Sequence, residues 1–293
     1  MTAEEKKLSG RAPNLHGRAE NLVWHGLRNV ILALGVLVIL FPMYLVIINS
    51  FKTLEEASRS FFALPASVNL DNVRELLSGQ NYFHHVFNSV LVTVVSMVVV
   101  AIYIPMVSYA IARNMRRRYY KALYTYIMLG LFIPSQIVML PIVKQMAALN
   151  MLNIWGLILL YITFSLTRGV FLFVNYIRVL PIEIEEAAQI DGCTVVQTYF
   201  RIVIHLIKPM ISTLVIMDAL WFWNDFQLPL FLLNRSRDLW TLPLFQYNFK
   251  TEYSFDYPMA FTAYLISMVP MLVIYCLCQK HIISGLTAGA VKS

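Results

Sequence analysis

Charged residues are scarce in this sequence: 13% of its 293 positions, against about 25% in soluble domains. That scarcity excludes a chain bathed in water on every face. Cysteine is sparser still, with 3 residues. Cys193 falls in an inner loop and Cys276 and Cys278 in the last apolar run, so no outer disulfide forms within the chain. No glycine is followed five residues later by a Gly-Lys pair, which removes the phosphate-cradling loop of an ATPase. Tandem repeats and low-complexity stretches are missing too. So is any nucleophile–base set or His/carboxylate metal cluster within one membrane leaflet, which argues against a membrane-embedded enzyme.

What fills the chain instead is apolar: 59% of residues, with a mean hydropathy of +0.65. Uncharged runs cover Asn29–Phe51, Val86–Ala112, Ala122–Val143, Gln145–Thr167 and Pro258–Gln279, each long enough to cross a bilayer as a helix. Pro209–Asn234 is apolar apart from Asp218 and Asp225. The expectation is an all-α integral membrane protein with six transmembrane helices. The first run is about twice the length of a signal core and no small-residue cleavage site follows at Ser50–Lys52, so it is expected to remain as an anchor.

Loop charges set the orientation. With the N-terminus inside, the inner segments hold Lys6, Lys7, Arg11, Arg18, Arg28, Arg113, Arg116, Arg117, Arg118, Lys121, Arg178, Arg201, Lys208, Lys280 and Lys292. The outer segments hold fewer: Lys52, Arg59, Arg74, Lys144, Arg235, Arg237 and Lys250. Both termini are therefore expected in the cytoplasm. This sidedness accounts for the net charge of +7, and no nucleic-acid partner is needed. The organisation follows: a cytoplasmic N-terminal segment 1–28, a first span and outer loop 29–83, a core 84–280 with an inner loop at 176–208, and a cytoplasmic tail 281–293.

That inner loop reads as a helical hairpin. Pro181 precedes Glu183, Glu185 and Glu186, carboxylates that suit the positive end of a helix dipole. Ala187 and Ala188 are small helix formers that let another surface approach. Asp191-Gly192 supplies a turn, and Thr194 with Gln197 has the form of a capping box opening a second helix.

Polar groups inside the bundle are the other candidates, because such groups usually face the protein interior or a wet path. Asp218 lies roughly 14 Å in from Pro209 at about 1.5 Å per residue, near mid-membrane. Asp225 is seven residues on, nearly on the same face. With Trp221 and Asn224 they suit a neutral sugar, whose hydroxyls need acceptors and whose ring faces stack on aromatics. The competing reading is that both aspartates hold helix–helix hydrogen bonds. Arg168 either snorkels inward or pairs with a carboxylate. His84-His85 is expected as a solvated interfacial pair rather than a metal site. The aromatic outer segment Arg235–Tyr257 is expected either to meet a partner or to form a membrane belt.

Glu186-Ala187-Ala188-Gln189-Ile190-Asp191-Gly192, with Ile202 ten residues after the glycine, resembles the EAA signature of ABC importer permeases. His205 stands where that family usually has a proline. Ser50-Phe51-Lys52, Asn88-Ser89, Pro134, Pro141, Trp223-Asn224-Asp225-Phe226 and the ending Gly285-Leu286-Thr287-Ala288-Gly289-Ala290-Val291-Lys292 resemble the smaller permease of the maltose-type carbohydrate branch.

The resemblance implies a type I ABC importer permease fold in a bacterial plasma membrane. It implies that Glu186, Ala187, Ala188, Asp191 and Gly192 form a coupling helix on an ATP-binding subunit dimer, and that Gly285, Thr287, Gly289 and Lys292 form a tail contacting that ATPase. It implies a second, related permease, an extracytoplasmic solute-binding protein and surrounding lipid as partners. This chain would hold no cofactor of its own, ATP and Mg being bound by the ATPase. An ion-coupled secondary transporter is the alternative, with Asp218, Asp225 and Arg168 as coupling groups. Such folds show paired internal repeats, which this sequence lacks.

Overall fold

The computed structural model describes residues 15–79, 81–247, 249 and 256–288, and the described chain is helical throughout. A long first helix, α1 (Leu15–Ser50), is followed by the short outer helices α2 (Leu54–Arg59) and α3 (Asp71–Ser78). The core then begins with α4 (Tyr82–Arg113), α5 (Arg118–Leu129), α6 (Ser135–Ala148) and α7 (Ile154–Val179). Three short helices form the inner segment: α8 (Glu183–Ile190), α9 (Val195–Thr198) and α10 (Ile204–Leu206). The chain returns through α11 (Lys208–Asn224), α12 (Gln227–Leu233), α13 (Leu242–Tyr247) and α14 (Tyr257–Ala288).

Among the described residues, three helices are long and apolar enough to cross a membrane unbroken: Trp24–Ser50, Tyr82–Arg113 and Ile154–Val179. Two further helix pairs are long and apolar enough only when taken together, and each is bent at a short break, which the uncharged runs did not indicate. Arg118–Phe132 meets Ser135–Ala148 at 107°, and Val195–Leu206 meets Lys208–Asn224 at 72°. The first break has a local cause. Pro134 has no N–H to continue a helix and biases the residue before it away from helical geometry, and Ile133 is extended at ψ 111. At the second, Ile207 leaves helical geometry (ψ 0) just before Lys208-Pro209 opens α11.

The core sits where α4 packs on α7. Val100, Ile104, Leu157, Tyr161, Phe173 and Ile177 are wholly or almost wholly buried there. Close approach depends on Gly169, where an added Cβ would lie 2.7 Å from Ile104 Cγ2 and 2.8 Å from its Cδ1. Ile104 is itself fully buried and has nowhere to retreat. Gly169→Val is therefore expected to cost about 1–3 kcal/mol by overpacking. A lowered melting temperature of the purified complex checks this, and an unchanged one would contradict the packing.

The first helix is peripheral: only 6% of the apolar window of Trp24–Ser50 is buried, and its outer end meets α14. That end is pinned. Lys52, 1% exposed, donates from Nζ to Ser60 O (2.9 Å), Phe61 O (3.3 Å) and Asn49 Oδ1 (3.3 Å). Burial pulls its pKa below the ordinary lysine value, and Glu56 opposes that pull.

One of the two outer histidines departs from expectation. His85 is buried, stacks on Phe245 at 4.5 Å and shares a hydrogen bond with Trp240 O at 3.1 Å. His84 does the same with Asp238 O at 2.7 Å, and Asn88 Nδ2 donates to both carbonyls. His85 is thus part of a buried clasp on the outer segment, while His84 stays exposed beside it. Trp240, Phe245 and Phe249 are likewise core residues, which removes them as partner contacts; Tyr247 is exposed, and Tyr253 and Phe255 lie outside the described residues.

Candidate functional site

The inner hairpin folds much as its local sequence directs. α8 starts at Glu183, two residues after Pro181, with Glu183, Glu185 and Glu186 in its first turn. Its end is closed by Asp191 N–H donating to Ala187 O (3.0 Å), Gly192 N–H to Gln189 O (3.1 Å) and Cys193 N–H to Ala188 O (2.9 Å). Gly192 takes φ +87, the left-handed conformation open to glycine. Thr194 and Gln197 form the expected reciprocal cap at 3.3 and 2.9 Å. α9 then loosens into a π-helical turn, Tyr199–Val203, before α10.

Glu185 has a role that its place in the sequence did not reveal. It is buried, accepts from Tyr109 OH at 2.8 Å, and accepts from Arg113 Nε and Nη2 at 2.9 and 2.6 Å. Arg113 Nη2 also donates to Leu180 O at 3.3 Å. The pair is largely withdrawn from water, with side-chain exposures of 15% and 5%. The hairpin is thus bolted to the inner end of α4. The available signal was spacing: Glu185 and Ala188 lie three apart on one face of α8, and Tyr109 and Arg113 four apart on one face of α4.

That spacing also divides the alanine pair. Ala188 is 5% exposed and turns into the chain, so only Ala187 is presented outward. Glu186, Asp191 and Gly192 are exposed as well, beside an apolar cap of Ile190 (86% exposed), Val195, Val196 and Phe200. Gly285 and Thr287 lie in the last turns of α14, whereas Gly289 and Lys292 lie outside the described residues.

In the bundle, the expected sugar-lining group separates. Asp218 is 0% exposed and accepts from Ser165 Oγ and Arg168 Nη2 on α7, so it ties α11 to α7 and offers no face to a path. Asp225 accepts from Tyr161 OH at 3.0 Å and from Gln227 N–H at 3.1 Å, capping the start of α12. Both aspartates do face α7, but as struts. For Asp218, wholly buried, this is the helix–helix reading; Asp225 is only half-buried. Trp221 is half-buried, with the Arg168 guanidinium 5.4 Å from its ring centroid. Asn224 is exposed, and its side chain donates back to Leu220 O at 2.8 Å.

Beside this cluster lies a cleft of about 580 Å3 between the bent α5–α6 pair and α7, lined in part by Ser135, Gln145, Thr163, Thr167 and Arg168. Gly130 is the point of closest approach, since a Cβ there would come within 3.0 Å of Thr167 Oγ1.

An apolar-walled helical bundle, an ion pair with a buried aspartate between α7 and α11, and a pinned hairpin at one end are the features that position the site. Residues 104–287 match the model of the family described as binding-protein-dependent transport system inner membrane components, and the chain belongs to that family. It is 42% identical over 93% of its length, and 98% of the relative's, to the multiple sugar-binding transport system permease protein MsmG of Streptococcus mutans. It is 32% identical to a probable starch degradation products transport system permease protein, AmyC, of Thermoanaerobacterium thermosulfurigenes, over 86% of this chain and 91% of that one. A chain of a bacterial ABC transporter involved in import of the acidic polysaccharide alginate shares the fold. Its TM-score is 0.78 at 21% identity, over 89% of this chain and 97% of that one.

Proposed function

We propose that this chain is one permease half of an ATP-driven importer for a carbohydrate, an oligosaccharide in particular. It pairs with a second, related permease and receives sugar from an extracytoplasmic binding protein. Two ATP-binding subunits, which hold the ATP and Mg, drive it from the cytoplasm. Six crossings make up the membrane part: the three unbroken helices, the two bent pairs and α14, with both termini inside. The names of the relatives support the sugar, and the charge bias of the loops supports the orientation.

The observation that carries the reading is the hairpin. An exposed apolar cap flanked by Glu186, Ala187, Asp191 and Gly192 suits docking on a partner, and Ala188 backs that surface from within. The Arg113–Glu185 pair gives the docked element a stiff connection to α4. The tail around Gly285, Thr287, Gly289 and Lys292 is assigned to the same ATPase, as a second contact.

Gly192 offers a clean test. A Cβ there meets nothing within 4 Å, so Gly192→Asp strains the turn by about 1–2 kcal/mol at most and clashes with nothing in the chain. Sugar-stimulated ATP hydrolysis of the whole reconstituted complex is expected to fall at least tenfold in this variant, while the assembled complex stays folded. Normal stimulation would remove the hairpin from the coupling route. Sugar uptake by this chain without the ATPase, driven by an ion gradient, would overturn the importer reading itself.

A further inference from the structure

The bend in the third crossing carries an observation that hairpin docking does not use. Between Phe132 and Ser135 the chain is not helical: Ile133 and Pro134 are both extended. Non-helical backbone at membrane depth persists only where protein buries it or where it lines a water-filled cavity. Within this chain it is not buried, because Leu131, Phe132 and Ile133 are all exposed, which leaves cover by the second permease or a wet cavity.

The cleft beside it has the character that a wet cavity requires. Arg168 is fourteen residues from the start of α7 and eleven from its end, which places it about 21 and 16 Å from the two helix ends. Its Nη2 is spent on Asp218, yet its Nε is shielded and has no hydrogen-bond partner. Thr163 and Thr167 sit one turn apart above it, and Gln145 faces them from α6. Among the described residues, the side chains of Gln145 and Thr167 hydrogen-bond to nothing. Thr163 Oγ1 donates to Leu159 O at 2.8 Å and keeps its acceptor sites; these free groups, next to the apolar faces of Pro141 and Phe164, match the two surfaces of a neutral sugar ring: hydroxyls on the rim and C–H faces above and below. The volume is within the range of small-molecule sites, about 300–1,000 Å3.

We infer that the cleft formed by Gln145, Thr163, Thr167 and Arg168 is a sugar-contacting station on the import path, supplied by this chain. The contact falls on α6 and α7, not on the carboxylates of α11. The inference rests on the importer reading, and its test separates the two.

The assay uses the full complex in lipid nanodiscs, with Cys193, Cys276 and Cys278 replaced by alanine and with Gln145→Cys or Thr167→Cys introduced. A charged, water-soluble methanethiosulfonate is the reagent and raffinose or maltotetraose the sugar, whichever stimulates ATP hydrolysis. Both cysteines are expected to react in at least one nucleotide state, and saturating sugar delivered by the binding protein is expected to slow the reaction at least fivefold. Val98→Cys, on the exposed face of α4, is expected to stay unlabelled. In the parent chain, Gln145→Leu and Thr167→Val should raise the half-saturating sugar concentration for uptake roughly three- to tenfold each, the usual weight of one hydrogen bond. Cysteines that never react, or that react equally with and without sugar in a complex that still transports it, would overturn the station and leave the importer standing. A complex that no sugar stimulates would overturn both.

Discussion

Arg168→Met should be far more damaging than Asp218→Asn, although the two residues form one ion pair. Asp218 has no exposed surface and Arg168 keeps more than a third of its side chain open to the cleft. Removing the arginine strands a carboxylate among apolar helices, with only Ser165 left to donate to it. Breaking a buried pair in this way costs about 3–5 kcal/mol. Removing the aspartate's charge leaves a guanidinium that still reaches the cleft and the Trp221 ring. The expected result is a sharp loss of assembled complex for Arg168→Met on size-exclusion chromatography, and a mild one for Asp218→Asn. The double variant Arg168→Met/Asp218→Leu should recover most of the loss, because apolar replacement of both partners removes the stranded charge. Equal damage from both single substitutions would show that the cleft gives Arg168 no relief.

Arg113→Met should separate ATP hydrolysis from transport. Glu185 would keep Tyr109 as a donor and lose both guanidinium bonds, again about 3–5 kcal/mol for an uncompensated buried carboxylate. That penalty is local, at the joint between α8 and α4, so the membrane bundle should survive it. Sugar uptake per ATP hydrolysed is expected to drop at least tenfold. Arg113→Met/Glu185→Leu should restore rigidity without charge and recover part of the ratio. A single variant that transports at the parental ratio would mean that force does not pass through this joint.

What could be read from the sequence was whatever depends on near neighbours. The Thr194–Gln197 cap and the positive φ of Gly192 both follow from residues within a few positions of one another. Spans were legible as uncharged runs, but hydropathy sums composition and ignores backbone direction, so Pro134 was counted inside a crossing that it breaks. The pairings that build the site join distant residues: Arg113 to Glu185, Arg168 to Asp218, His85 to Trp240. No periodicity reports which carboxylate a given arginine will find. Asp218 therefore looked available to a ligand when α7 had already claimed it. The aromatic outer loop misled for a similar reason, since Phe245 and Trp240 are as apolar in a core as on a docking surface.

The 72° angle between Val195–Leu206 and Lys208–Asn224 turns the inner segment into an elbow. Two rods joined near a right angle do not pass on a push as a push. Travel of the short arm along its own axis arrives at the long arm as sideways lean, and the long arm is the one that Asp218 clamps to α7. In the proposed importer, a crank of this kind would turn a small stroke at the hairpin into a sideways sweep at the far end of α11, where α12 begins.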